Sequence, residues 1–421
     1  MSRHPTSMRH FAAAVAAAAL SSLAAPVLAA QPMPPAAAAA RDSTTVPSSS
    51  VLGAASPRIH RDGGVTFTLK APEARALEVA GGDGLGKGPF AMTKGADGTW
   101  SVTIPPPVPG FHYYWFLLDG VQINDPASQT YFGYGKETSG IEIPEAGADY
   151  YAIGDVPHGE VCEKWYFSKT TGEWRRAFVY TPPDYQTSLT RRYPVLILQH
   201  GAGEDETGWT RQGRAQWILD NLIAARRAEP MIVVMDRGYA LRRGAPPPVF
   251  TQKATVRDLE LAFGTFGDVI LRDLIPTIDA SYRTIPDRDH RAMAGLSMGG
   301  MQTLFIALHH LEEFAYVASL SGPIMAGGNP NEPVGESFHQ PFDPSTAYDG
   351  AFADPAKFNA RVKLLWFGVG TAESFMPGIT GAVAALKKSG IRLAYFQSPG
   401  TAHEWQTWRR SLADLAPRLF R

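Results

Sequence analysis

Two periods of hydrophobic and polar positions follow one another along this chain, and they change near residue 155. From Pro57 to about Asp155 short runs alternate apolar and polar: Gly64–Leu69, Ala76–Ala80, Gly98–Ile104 and Phe111–Val121. Turn clusters such as Lys94–Asp97 separate them. Period two with Gly, Pro and Asp between the runs predicts short strands, and so a β-sandwich of about a hundred residues over 58–155. From Gly159 to Arg421 the apolar runs lose their alternation. Val195–Gln199 and Met231–Met235 are continuous and rich in β-branched residues, and Arg175–Thr181, Arg291–Ala294, Val362–Phe367 and Arg392–Phe396 continue the series. Helical stretches lie between them, at Gln212–Arg226, Phe266–Tyr282 and Ile379–Gly390. This order predicts an α/β unit over 159–421 whose central sheet is mostly parallel and covered on both faces. In such sheets chemistry gathers at the carboxyl ends of strands.

The amino-terminal residues follow neither period. Arg3, His4, Arg9 and His10 form a basic head, Phe11–Leu28 is an alanine-rich apolar run, and small residues surround Ala29. That pattern reads as a signal peptide over 1–30, with a flexible Ala/Pro/Ser linker over 31–57. The expected location is periplasmic or secreted, with no membrane association after cleavage. Charged residues are 19% of the 421, with a formal net charge of -1. No basic footprint for nucleic acid follows from that balance. The single cysteine, Cys162, cannot form an internal disulfide and is expected to be a small buried residue.

Candidate chemistry centres on Gly295-Leu296-Ser297-Met298-Gly299. A nucleophilic serine on a sharp strand-to-helix turn needs almost no side chain two residues before and after it. Ser297 is the expected nucleophile. The Met298 amide, at the start of the next helix, is one expected oxyanion donor. The loop His200-Gly201-Ala202-Gly203 follows an early strand and offers the Ala202 amide as the second. His200 is expected to hold that loop and, with Trp209 and Trp405, to surround the substrate. His403 lies in a loop after the last strand and is the expected base. Glu373 is the only carboxylate in the turn after Val362–Phe367, and it is the expected partner of His403. Asp349 and Asp354 precede that strand, and Glu404 adjoins His403 too closely to be favoured. No metal and no cofactor is required by this chemistry. Gly322–Pro355, rich in Gly, Pro, Asn and Asp, reads as a lid or rim loop that shapes the acyl pocket.

These motifs carry a resemblance. The order His200–Gly203 with Glu206–Trp209, then Gly295–Gly300, then Gly370–Glu373, then His403–Trp405 resembles the putative-esterase group of α/β-hydrolases, similar to carbohydrate esterase family 1. That group includes feruloyl and acetyl xylan esterases, enterochelin-esterase-like enzymes and mycolyltransferases. It differs here in having Glu373 where many relatives carry aspartate. The loops with Asp205-Glu206 and Asp236-Arg237 are also more charged than an aryl-binding pocket needs. Trp100, Tyr113-Tyr114-Trp115, Asp119-Gly120 and Asn124-Asp125-Pro126 resemble an early-set immunoglobulin-like module. Trp100, Tyr113 and Trp115 either stack sugars or belong to a core, and alternation in strands favours the core. The resemblance implies a serine esterase acting on feruloyl or acetyl esters of xylan, with an acylated glycan or small ester as partner. The alternatives are an acyltransferase of mycolyl type, an enterochelin-type ester hydrolase, and a glycan-binding protein without catalysis.

Overall fold

Eight strands carry the site-bearing half of the molecule. They are β7 (Glu160–Ser168), β8 (Glu173–Thr181), β9 (Val195–Gln199), β10 (Ile232–Asp236), β11 (Arg291–Leu296), β12 (Tyr316–Leu320), β13 (Leu364–Gly370) and β14 (Ala394–Ser398). In the sheet they run β7-β8-β10-β9-β11-β12-β13-β14. The computed structural model describes residues 45–47, 51–245, 254–325, 330–338 and 340–421. The expected signal peptide lies outside the described residues. Within the stretch read as linker, Thr45–Pro47 pairs with Arg58–His60.

The sheet is mixed: parallel over most of its width, as expected, and antiparallel at one end. Strands β10 to β14 with β9 are parallel, while β8 is antiparallel to both β7 and β10. The cause is local: only four residues join β7 to β8, too few for a crossover. Edge strand β7 carries Glu160, Glu163 and Lys164, charges that discourage further pairing and hide the strand from a hydropathy reading. Cys162 lies on this edge and is exposed, not buried as expected.

Each parallel strand is apolar on both faces because each face meets helices. Leu196 and Leu198 point into a core shared with α1 (Ala215–Ala224) and α5 (Trp405–Leu415). Val195 and Ile197 point into the opposite core, with α2 (Val256–Val269), α3 (Met298–His309) and α4 (Met376–Lys388). The chain leaves β9 for β10 on one side and returns to β11 on the other. Connections therefore diverge between β9 and β11, and a crevice opens at their carboxyl ends.

Ahead of this sheet lie two antiparallel sheets. One contains β1 (Val65–Lys70) and β3 (Thr99–Ile104); the other has the order β5-β6-β4-β2. Those four are β2 (Leu77–Gly81), β4 (Gly110–Leu118), β5 (Thr130–Gly133) and β6 (Lys136–Ile143). Val65, Phe67, Val79, Trp100, Tyr114 and Phe116 form their common core. On the alternate face of β4, Phe111 and Tyr113 join the core under α5. The two regions are thus packed together, and the described residues from Thr45 onward form one compact unit.

A charged group locks this packing. Arg409 of α5 is fully buried and donates to both carboxylate oxygens of Glu142 on β6, at 2.7 and 3.0 Å. It also donates to the Gln212 carbonyl at 2.9 Å and lies over the Tyr151 ring. Arg409→Ala would leave the buried Gln212 carbonyl without its donor and open a cavity beside Tyr151, while Glu142, partly exposed, keeps Arg214 at 3.1 Å. It is expected to lose roughly 2–4 kcal/mol in urea unfolding. Arg418→Ala, at a half-exposed pair with Asp414, should lose less than about 1 kcal/mol. Equal losses would contradict this packing.

Candidate active site

The turn from β11 into α3 bears Ser297 at φ 51° and ψ -118°. That conformation is strained for a side-chain-bearing residue and is held because Ser297 N–H donates to the Leu320 carbonyl at 2.8 Å. The small flanking residues have a steric reason. A Cβ on Gly299 would stand 2.5 Å from the His200 carbonyl oxygen. One on Gly295 would collide with the Gly299 backbone.

Three side chains predicted from the sequence meet here. His403 Nε2 lies 2.8 Å from Ser297 Oγ, and His403 Nδ1 lies 2.9 Å from Glu373 Oε2. Glu373 is buried, and its other oxygen accepts from the Ser321 hydroxyl at 2.6 Å and the Gly370 N–H at 2.7 Å. With Nδ1–H donated to the carboxylate, Nε2 presents its lone pair to the serine. Phe375 and Trp408 meet the imidazole, each ring steeply tilted to it, and Trp408 Nε1 donates to Ser321. Ser321 went unnoticed in the sequence. Its φ of 54° and its place at the end of β12 are its only signals, and both need coordinates. Glu404 instead accepts from Ala402 N–H at 2.9 Å and stands 3.7 Å from His112.

Ala202 and Ser297 both line a cavity of about 210 Å³. Neither the Ala202 nor the Met298 N–H has a backbone or side-chain acceptor among the described residues. His200 is buried behind the loop. It accepts from Gly238 N–H on Nε2 at 2.8 Å, so its Nδ1–H donates to the Gly201 carbonyl at 2.8 Å. Burial pushes this imidazole down to about 4, so it stays neutral.

His200 and Trp209 do not face the cavity, contrary to the expectation that they surround substrate. Trp209 is buried, donates to the Gln199 carbonyl at 2.8 Å and braces Trp405 edge-on. Trp405 does line the cavity. The charged loops have structural partners: Asp236 takes Arg175 and Tyr166, and Glu206 takes Arg176. Among the described residues of 322–355, none lines the cavity. The opposite wall comes from the N-terminal β region, through Phe111, His112, Tyr113 and Tyr134. Of the three aromatics weighed in the sequence, Trp100 is core, Trp115 is half-buried, and Tyr113 is a cavity wall.

Glu204 completes that wall and was also missed. It is buried, and Tyr113 donates to its Oε1 at 3.1 Å. Burial pushes its carboxyl up to about 8 from an ordinary 4.5, with the Tyr113 hydroxyl and the Trp405 indole opposing part of the rise. Between those values the folded chain keeps a proton that the unfolded chain has released. Stability is therefore complete below the unfolded value and falls as pH rises through the folded one, by on the order of 4 kcal/mol. Glu204→Gln should raise Tm relative to the parent chain at about pH 9 and not at about pH 4. An equal Tm difference at both would contradict the burial argument.

Known proteins bear on this geometry. The family model named Esterase, described as "Putative esterase", matches residues 168–419. An endo-1,4-beta-xylanase/feruloyl esterase of Xylanibacter ruminicola is 38% identical over 382 residues, covering 88% of this chain and 46% of that one. An esterase of Mycobacterium tuberculosis is 34% identical over 163 residues, covering 38% of this chain and 32% of that one. The chain thus spans less than half the length of these two relatives. Among solved structures, the enterochelin esterase of Shigella flexneri has a TM-score of 0.57 at 18% identity, covering 84% of this chain and 92% of that one. A CE1 ferulic acid esterase of Anaeromyces mucronatus has 0.53 at 20% identity, covering 65% and 96%. These two are likenesses of fold. With its family model matched from the end of β7 to beyond α5, and so across Ser297, Glu373 and His403, the chain belongs to this esterase family.

Proposed function

We propose that this chain is an exported serine esterase that removes feruloyl or acetyl groups from a plant polysaccharide such as xylan. One observation carries the reading of the chemistry: the unbroken line from Glu373 through His403 to Ser297, opening on a cavity. His403 Nε2 takes the Ser297 proton as Oγ attacks the acyl carbon. The Ala202 and Met298 amides receive the oxyanion, each donor contributing about 3 kcal/mol. His403 returns the proton to the leaving alcohol, water repeats the sequence on the acyl-enzyme, and the acid leaves. Glu373 keeps the imidazole in its productive tautomer throughout.

The substrate class rests on relatives and on shape. The long Xylanibacter relative carries both xylanase and feruloyl esterase in its name. The cavity holds about 210 Å³, the scale of one aromatic acyl group, and Phe111, Tyr113, Trp405 and Trp408 wall it. That size accommodates a single aryl or acetyl group. An acceptor sugar in place of water would make the same array a transferase. The basic head and apolar run at the amino terminus support export to the periplasm or beyond.

Ser297→Ala should reduce p-nitrophenyl acetate turnover by at least about 10⁴-fold with an unchanged circular dichroism spectrum. Retained turnover would remove the serine from the mechanism. Across methyl ferulate, acetylated xylan and simple acetates, kcat/KM should be highest for the first two. With a sugar acceptor present, release of free acid should still dominate; predominant transfer would favour the transferase reading.

A further inference from the structure

We propose that the N-terminal β region works inside the active site: Tyr113 and the hairpin tip Tyr134-Gly135 position the loop that carries the Ala202 amide. The proposal rests on Ser297 being the nucleophile, and adds that the β region is neither a spacer nor a remote docking module.

The loop Gly201-Ala202-Gly203-Glu204 holds itself by one long turn bond, Glu204 N–H to the Gly201 carbonyl at 3.3 Å. Between His200 and Glu204 it has two glycines and an alanine, so no long side chain anchors its middle. Gly201 must stay bare, since a Cβ there would stand 2.6 Å from Leu296 Cδ1 and 3.2 Å from Ser297 Cβ. Gly203 has φ +78°, a conformation that glycine adopts freely and other residues do not. A backbone this permissive takes its position from its contacts.

Those contacts come from two sides. From the α/β side, His200 Nδ1–H holds the Gly201 carbonyl at 2.8 Å, and the Tyr239 hydroxyl accepts from Gly203 N–H at 2.6 Å. From the β region, Gly135 N–H donates to the Gly203 carbonyl at 2.8 Å. The Tyr113 hydroxyl donates to Glu204 Oε1 at 3.1 Å, at the end of the loop. The phenol is itself fixed, accepting from Gln212 Nε2 at 2.7 Å. Gly203 therefore has its N–H held by one region and its carbonyl by the other, one residue from Ala202, which lines the cavity with Ser297.

The hairpin tip is shaped for this approach. Tyr134 and Gly135 form the two-residue connection of β5 and β6, both with positive φ, 57° and 77°. That pairing suits a tight turn whose twist matches its strands. The tip lies so close that a Cβ on Gly203 would stand 3.3 Å from Tyr134 Cα. Tyr134 packs edge-on against Tyr113 and Trp115 of β4, so the two ties move as one body.

Tyr113 is a positioning residue, and the test separates position from bulk. Tyr113→Phe keeps the ring and removes the hydroxyl. On p-nitrophenyl acetate we expect kcat to fall about 10-fold or more with KM within about 2-fold, because a displaced oxyanion donor acts only in the transition state. The inhibition constant of phenylboronic acid, whose tetrahedral adduct on serine needs the same amides, should weaken in proportion. A packing role alone would lower Tm and leave both values unchanged, and that result overturns the proposal. If Tyr113→Phe does not fold, Glu204→Gln and Glu204→Ala take its place. Glutamine retains an acceptor for the Tyr113 hydroxyl, so its kcat should lie between those of the parent chain and the alanine variant. Equal kcat for the two variants overturns the proposal. An inactive Ser297→Ala beside an unimpaired Tyr113→Phe refutes the positioning role alone. An active Ser297→Ala refutes the nucleophile and the positioning role together.

Discussion

The bond between Glu373 and His403 is the constraint on which the rest of this structure turns. A hydroxyl is a poor nucleophile at neutral pH, and an imidazole helps only when its lone pair faces that hydroxyl. Here the carboxylate takes Nδ1–H, which leaves Nε2 to the serine. The carboxylate is fixed in turn by the backbone amide of Gly370, the last residue of β13, and by the Ser321 hydroxyl after β12. Strands β11, β12 and β13 are parallel neighbours, and α5 begins two residues after His403. With His403 following β14, the array depends on the register of four adjacent strands.

The site is a composite of both regions. Ser297, His403 and Glu373 come from the α/β region, whereas one wall comes from β4 and the β5–β6 hairpin. Such a site holds only if the two regions do not drift. A buried arginine on α5 grips Glu142 of β6, and that helix starts two residues after His403. The grip thus fixes the helix whose start adjoins His403. Glu204 has the opposite energetic sign: it is a buried carboxyl that costs stability when charged, and it is kept where the two regions meet. Costs of this kind concentrate at functional sites.

Much of the site was legible from the sequence because its chemistry leaves local marks. Gly295 and Gly299 flank Ser297 for a steric reason that operates within five residues. Glu373 and His403 were narrowed by strand order, since each had to follow a strand at its carboxyl end. The second wall left no such mark. Tyr113 alternates in β4 like any core residue, and Tyr134 sits in an unremarkable hairpin. Their role arises from a packing between regions distant in sequence. His200 and Trp209 erred the other way: they stand in the right motif, yet their polar atoms serve the backbone behind the loop. Edge strand β7 and the exposed Cys162 were misread because charges at a sheet edge break the apolar signal.

Labelling with a fluorophosphonate, followed by intact mass and peptide mapping, tests the central claim most directly. The account predicts one adduct per chain, on Ser297, formed at least about 10²-fold more slowly when His403 is replaced by alanine. An adduct on another residue, or labelling of Ser297 at an unchanged rate without His403, would contradict it.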